Sequence, residues 1–352
     1  MERMASYHND AEKVIKAVNK AYNLAASDLD YELSKIFNRF SKDGKLTPAE
    51  ARKLLNEPIS RAEWNDIKSK LSKIKDPDIK RQMLNRLNAP AYSARITRIQ
   101  ALKENAYIQS KIIADAEIRL SKAGYIDVIN NSYYQSMFDI QKGLGIGFEF
   151  AAIPTQIIKT IVANPWSGKH FSKRVWGNTG TLADLLNDTI AAGFMSGSSY
   201  RKMTQELMGV MEVGKFAASR LIRTECTYAA NAGEMEAYQE AEIDKYIFVA
   251  TLDNRTSKQC QDHDRKVYKV KDSMPGKNMP PLHAFCRSST RAYFGPSTLA
   301  GIQRRARDPE TGKTTLVPAS MSYKEWDKKH RVTEKVPLPV RQIEFADFEI
   351  ID

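Results

Sequence analysis

Apolar residues in the first third of the chain recur at steps of three and four. Val14, Val18, Ala21, Ala25, Leu29, Leu33, Ile36 and Phe40 fall on one stripe, which predicts a long amphipathic helix. Ser41 to Gly44 predicts a break. Thr47, Pro48 and Glu50 then supply an N-cap, a first helical position and the partner of a capping box, so a second helix starts there. Ser60 and Glu63 repeat that signal for a third helix. Asp76-Pro77 predicts another restart. Ile96, Ile99, Leu102, Ala106, Ile112, Ala116 and Leu120 predict a further long helix. These helices form a bundle of their own or an arm that docks on a partner, and periodicity does not choose between the two.

The pattern then becomes mixed. Gly143, Gly145 and Gly147 alternate in a stretch read as a bent strand, since no Gly-Lys-Ser/Thr follows to make a phosphate loop. Leu182, Leu185, Leu186 and Ile190 restore a helical face. Two more helices are expected, over 200–210 and 215–240. From Tyr246 to Thr251 the residues are β-branched and aromatic, which predicts a strand. Lys266 to Val270 and Arg287 to Tyr293 are two further strands. The expected class is α+β and mainly helical, with a C-terminal module of helices on a small sheet. The expected divisions are 1–125, a helical arm or bundle; 126–295, the α+β module; and 296–352, an extended tail with a short helix around 322–329. The acidic, hydrophobic stretch Glu344 to Asp352 reads as a peptide that binds a neighbour.

Charge and composition narrow the function. The 352 residues carry a formal net charge of +12, which favours polyanionic partners, nucleic acid first among them. Met1 to Asp10 lacks an apolar run, so no secretory signal is expected. Leu144 to Ala163 is interrupted by Glu149, Pro154, Gln156 and Lys159, so no membrane span is expected. Three cysteines argue against a disulfide framework and for folding in a reducing cytoplasm. Arg39 to Glu50 echoes a calcium loop, but arginine holds the first ligand position, and a turn between helices is the better reading.

Candidate chemistry gathers late in the chain. Cys260-x2-His263 and His283-x2-Cys286 are two pairs separated by a loop, a pattern suited to a tetrahedral structural zinc. The alternatives are a Cys260–Cys286 disulfide, or packed cysteines with His283 hydrogen-bonded and His263 exposed. Asp253 is expected to cap the turn with its carboxylate, and Arg255 to fork onto Glu225 of the preceding helix. A metal centre beside Asp253, Asp262 or Asp264 would also suit a hydrolase or nuclease, although no nucleophile-base pair accompanies it. A nonspecific DNA-binding protein is the third reading.

Leu221-Ile222-Arg223-Thr224-Glu225, Ala250 to Ser257, Cys260, Asp264, Lys266-Val267-Tyr268, Pro280-Pro281, His283 and Cys286-Arg287-Ser288 resemble the minor head proteins of tailed phages, the Mu F-like head-morphogenesis family. Trp176-Gly177-Asn178 upstream is similar too, and the resemblance covers about residues 165 to 295. Arg223, Glu225, Asp253, Arg255, Thr256, Pro281 and Arg287 are the motif positions. The resemblance implies a non-enzymatic virion component, assembled in the host cytoplasm and located in the head interior or near the portal. Its implied partners are the portal protein, other head proteins and double-stranded DNA bound without sequence preference, with a part in DNA delivery. Ser257 stands where some members have a further cysteine, and His263 is not typical at its position. A fourth metal ligand would therefore be local to this chain.

Overall fold

The computed structural model describes residues 2–41, 45–89, 96–308 and 311–330. Lys42 to Gly44 of the expected break, and Glu344 to Asp352, lie outside them. The elements are α1 (Glu2–Phe40), α2 (Pro48–Leu55), α3 (Arg61–Ser69), α4 (Pro77–Leu87), α5 (Arg98–Leu144), α6 (Thr155–Ala163), α7 (Phe171–Met195) and α8 (Tyr200–Glu240). There follow β1 (Lys245–Val249), α9 (Lys258–His263), β2 (Val267–Lys269), β3 (Ser289–Ala292), β4 (Gln303–Arg307), β5 (Thr314–Pro318) and α10 (Tyr323–His330). The class is α+β, with helix predominating.

Local signals set the helix starts. Thr47 Oγ1 accepts from Glu50 N while Glu50 accepts from Thr47 N, and Ser60 with Glu63 and Thr97 with Gln100 make the same reciprocal pair. Asp76 caps α4 by accepting from the backbone N–H groups of Asp78 and Ile79. Val18, Ala25, Leu29, Leu33 and Ile36 of the α1 stripe are buried. They join residues of α5, α7 and α8 in one large core. A smaller core gathers Trp64, Ile67, Leu71, Met83 and Leu87 beside the start of α5. Lys70, between α3 and α4, reaches Asp28 at 2.6 Å and Glu32 at 3.0 Å, tying this corner to α1.

Two expectations are corrected by glycines. Helix α5 runs unbroken through the boundary expected at 125/126 and on to Leu144, so Gly143 is helical and no strand forms at 143–147. A Cβ on Gly143 would lie 2.9 Å from the Phe294 ring, and Gly145, at φ 72°, is the left-handed residue that ends the helix. Similarly, α8 is one helix of 41 residues rather than two. Gly214 does not break it. A Cβ there would meet the Tyr22 ring at 2.7 Å, so the glycine permits close approach to α1. Residues 224–235 of α8 are buried on every side, and Gly233 passes so near Ser132 and Ile129 of α5 that no side chain fits.

The sheet is antiparallel in the order β2-β1-β3, with Tyr246 opposite Tyr268 and Phe248 opposite Thr290. Beyond Gly295 the chain is not an extended tail as far as residue 330. β4 and β5 pair as a hairpin, and α10 packs Tyr323 and Trp326 against Leu252, Ala306 and Val317. Arg307 N donates to Leu252 O at 2.8 Å, joining the hairpin to the turn after β1.

Candidate functional site

The turn after β1 is built around a buried carboxylate. Asp253 Oδ1 accepts from Arg255 N at 3.0 Å and from Thr256 Oγ1 at 3.1 Å, the Asx turn its residue types suggest. Arg287 then clasps it from β3's approach, with Nη2 donating to Oδ1 at 2.8 Å and Nη1 to Oδ2. Burial alone would raise the Asp253 pKa. The Arg287 guanidinium, Thr256 and the Arg255 N–H override it and hold the carboxyl below its usual range.

The expected fork of Arg255 onto Glu225 does not form. The Arg255 side chain is 62% exposed, with Nε 4.0 Å from Asp253 Oδ2. Glu225 is buried against α6's exit, where it accepts from Trp166 Nε1 at 3.1 Å, and burial pushes its carboxyl up to about 7. Arg223 pairs with Glu12 of α1. Threonines pin the module to α8 instead. Thr224 Oγ1 accepts from Phe285 N at 3.1 Å, and Thr227 Oγ1 donates to Cys286 O at 2.8 Å. Pro281 is buried in the return loop, where its carbonyl accepts from Gly276 N at 3.1 Å.

A second buried pair was not expected. Asp264, which ends α9, accepts from Arg304 Nη2 at 3.0 Å and Nη1 at 3.2 Å, from Ala250 N at 2.9 Å and from Tyr323 N at 2.8 Å. Arg304 also donates to the carbonyls of Ala250 and Met321. Its position in a polar stretch hid it. The alternation of buried Arg304 and Ala306 with exposed Gln303, Arg305 and Arg307 is the strand signal that could have found it.

Of the four expected metal ligands, three come together. Cys260 Sγ lies 3.2 Å from His283 Nε2 and 3.6 Å from Cys286 Sγ, and the three ligand atoms fall within 4.8 Å of one another. His263 is not among them. It ends α9 with its ring near Phe248 and Tyr268, and its Nδ1 is 2.8 Å from the Tyr268 hydroxyl. Burial would push the Cys286 thiol up, but its contacts with Cys260 and His283 hold it well below the usual thiol range. Contact with Cys286 raises His283 in turn. The cysteines are free thiols.

On the other side of β1 a cleft of about 400 Å³ opens between α1, the sheet and β4. Arg223, Arg255, Arg287, Arg291, Arg305 and Arg307 are among its lining residues, and Asp253 is the acidic residue among those described. His8 of α1 also lines it. Burial, then Arg223 and Arg287, lower its pKa to about 4, so the imidazole is neutral near pH 7.

Residues 184–291 match the family described as Phage Mu protein F like protein. The chain is similar to "Minor head protein GP7" of Bacillus phage SPP1, 22% identical over 307 residues that cover 83% of this chain and 96% of that protein. Residues 184–291 therefore form a module of the Mu F-like type. The Asp253–Arg287 clasp and the threonine pins of α8 lie within the matched stretch, so they form the framework of its Mu F-like module. The chain is also similar to "NAD(+)--arginine ADP-ribosyltransferase EFV" of Enterococcus faecalis, 27% identical over 138 residues. That likeness covers 38% of the present chain and 28% of the transferase. No solved structure matches. Among the described residues, no helix is long and apolar enough to cross a membrane.

Proposed function

We propose that this chain is a minor head protein that acts in head morphogenesis at the portal, contacts packaged double-stranded DNA without reading its sequence, and aids DNA delivery. The observation that carries the reading is the likeness to the SPP1 minor head protein along 96% of that protein's length. Its partners are the portal protein, other head proteins and the DNA backbone. Its place is the virion, in the head interior or beside the portal, after assembly in the host cytoplasm. The charge of +12 and the arginine-lined cleft support the DNA contact, because guanidinium forks suit phosphate oxygens.

The reading is non-enzymatic. A metal-dependent hydrolase would need a carboxylate beside the Cys/His group to serve as base. Asp253 and Asp264 are instead each clasped by an arginine, and Asp262 pairs with Lys258 on the surface. The transferase likeness spans 28% of that enzyme, and its activity is not carried over.

Co-expression with the portal protein of the same phage tests the assembly role. A complex that survives size exclusion is expected, and two proteins that elute apart would overturn it. For the DNA contact, retention on duplex should fall steeply with salt. Arg305→Glu with Arg307→Glu should lower the slope of log affinity against log salt by about 2, near 0.9 for each phosphate no longer neutralised. Salt-independent retention, or none, would refute the contact.

A further inference from the structure

We propose that Cys260, His283 and Cys286 form a zinc site, with the fourth corner of the tetrahedron taken by a water molecule, and that His263 is not a ligand. The distances carry the inference. Zinc holds thiolate sulfur at about 2.3 Å and imidazole nitrogen at about 2.0–2.1 Å. Tetrahedral corners at those radii lie about 3.8 Å apart for two sulfurs and about 3.5 Å for sulfur and nitrogen. The chain sets Cys260 Sγ 3.6 Å from Cys286 Sγ and 3.2 Å from His283 Nε2, each within a few tenths of an ångström of that figure.

The imidazole is oriented for the task. His283 Nδ1 is 2.7 Å from the Ala284 carbonyl, which can only accept, so Nδ1 carries the proton. Nε2 is thereby left with a bare lone pair facing the sulfurs, the arrangement in which ligating histidines are ordinarily held. Both cysteines are buried and His283 is partly exposed, so an ion and its water have access from the histidine side. Two thiolates and an imidazole select zinc over magnesium or calcium. Binding releases the Cys260 and Cys286 protons to solvent.

The surroundings give the site a role. The apolar cluster here is small, with Phe248, Ala250 and Leu282 beside the two cysteines. Cys260 lies on α9, and His283 and Cys286 lie on the return loop that leads to β3. Zinc staples these two segments where apolar burial is slight.

The test uses the full chain, purified without chelators from zinc-replete cells, and reads metal content by mass spectrometry. About one zinc per chain is expected, and less than about 0.2 would overturn the site. Cobalt(II) added to the stripped chain should give strong thiolate-to-metal absorption and the visible bands of a tetrahedral ion. A weak octahedral spectrum would refute it without any variant having to fold. Cys286→Ser and His283→Ala should abolish the tetrahedral spectrum, whereas His263→Ala should retain it; loss in His263→Ala would overturn the three-residue set. A Cys260–Cys286 disulfide in metal-free protein purified anaerobically would also count against it. None of these outcomes bears on portal binding, so the site and the head-protein reading stand or fall separately.

Discussion

The helical body and the C-terminal sheet region are held by different physics. In the body, α1, α5, α7 and α8 share one continuous apolar core. In the sheet region Tyr246, Val270, Met279 and Ala292 join that core, while the remaining apolar residues divide into small clusters, and buried ion pairs do much of the tying. Asp253–Arg287 joins the turn after β1 to the approach of β3, and Asp264–Arg304 joins α9 to the hairpin. A thin layer buries too little apolar area to fix its loops, so directional contacts take over. Such contacts fail differently. Deleting an apolar side chain leaves a cavity, whereas deleting one partner of a buried pair leaves an uncompensated charge.

Arg304→Ala should therefore give the largest effect, about 3–5 kcal/mol, because Asp264 loses its counter-charge while buried. Hydrogen exchange should quicken first at β4, β5 and α10, with α5 and α8 still protected. Uniform loss of protection would break the comparison, since it would mean that hairpin and body unfold as one. Leu186→Ala, in the middle of the large core, should cost about 3 kcal/mol in chemical denaturation. It should weaken protection in all the long helices together.

The same contrast explains what the sequence disclosed. The body was legible where one face is buried, as in the α1 stripe, and where caps announce a start, as at Thr47, Ser60 and Asp76. It was illegible where a helix is buried all round. Residues 224–235 of α8 hold Thr, Asn, Glu, Gly and Ala with no stripe, and the gap expected between 210 and 215 contains Gly214, whose packing partner, Tyr22, lies far away in sequence. The three strands were legible from β-branched and aromatic runs. In the site, paired Cys/His spacing brought out Cys260, His283 and Cys286. Spacing carries no direction, however, and the His263 ring faces Phe248 and Tyr268. Ion-pair partners were the least legible. Arg255 is two residues from Asp253 in sequence, yet Arg287 does the clasping.

A buried acid in the body sharpens the comparison from the other side. Glu117 is fully buried with the Tyr22 hydroxyl 3.5 Å from Oε2, and burial pushes its pKa to about 8. Among the described residues no cation compensates, and the body keeps the group neutral. The folded-state value lies above the unfolded one, so the stability this group contributes is complete below about pH 4.5 and is lost as pH rises through about 8. Glu117→Gln removes that loss. The variant's stability relative to the parent should rise by about 4 kcal/mol between pH 5 and pH 9 in urea titrations. An equal difference at both pH values would mean that the carboxyl is ionised throughout.

The smallest effects discriminate between two arginines that contact the same carboxylate. Arg287 makes a two-pronged contact with buried Asp253, which a lysine cannot reproduce with its single ammonium. Arg287→Lys should cost about 1–2 kcal/mol, read as a lower midpoint in thermal or chemical denaturation. Arg255 reaches the same carboxylate at 4.0 Å from an exposed position. Contacts of that kind contribute about 0–1 kcal/mol and keep their charge on exchange for lysine. Arg255→Lys should therefore stay within about 0.5 kcal/mol of the parent. Should Arg255→Lys cost as much as Arg287→Lys, the carboxylate would be held from both sides. The turn would then be fastened by its own residues as firmly as by the strand it meets.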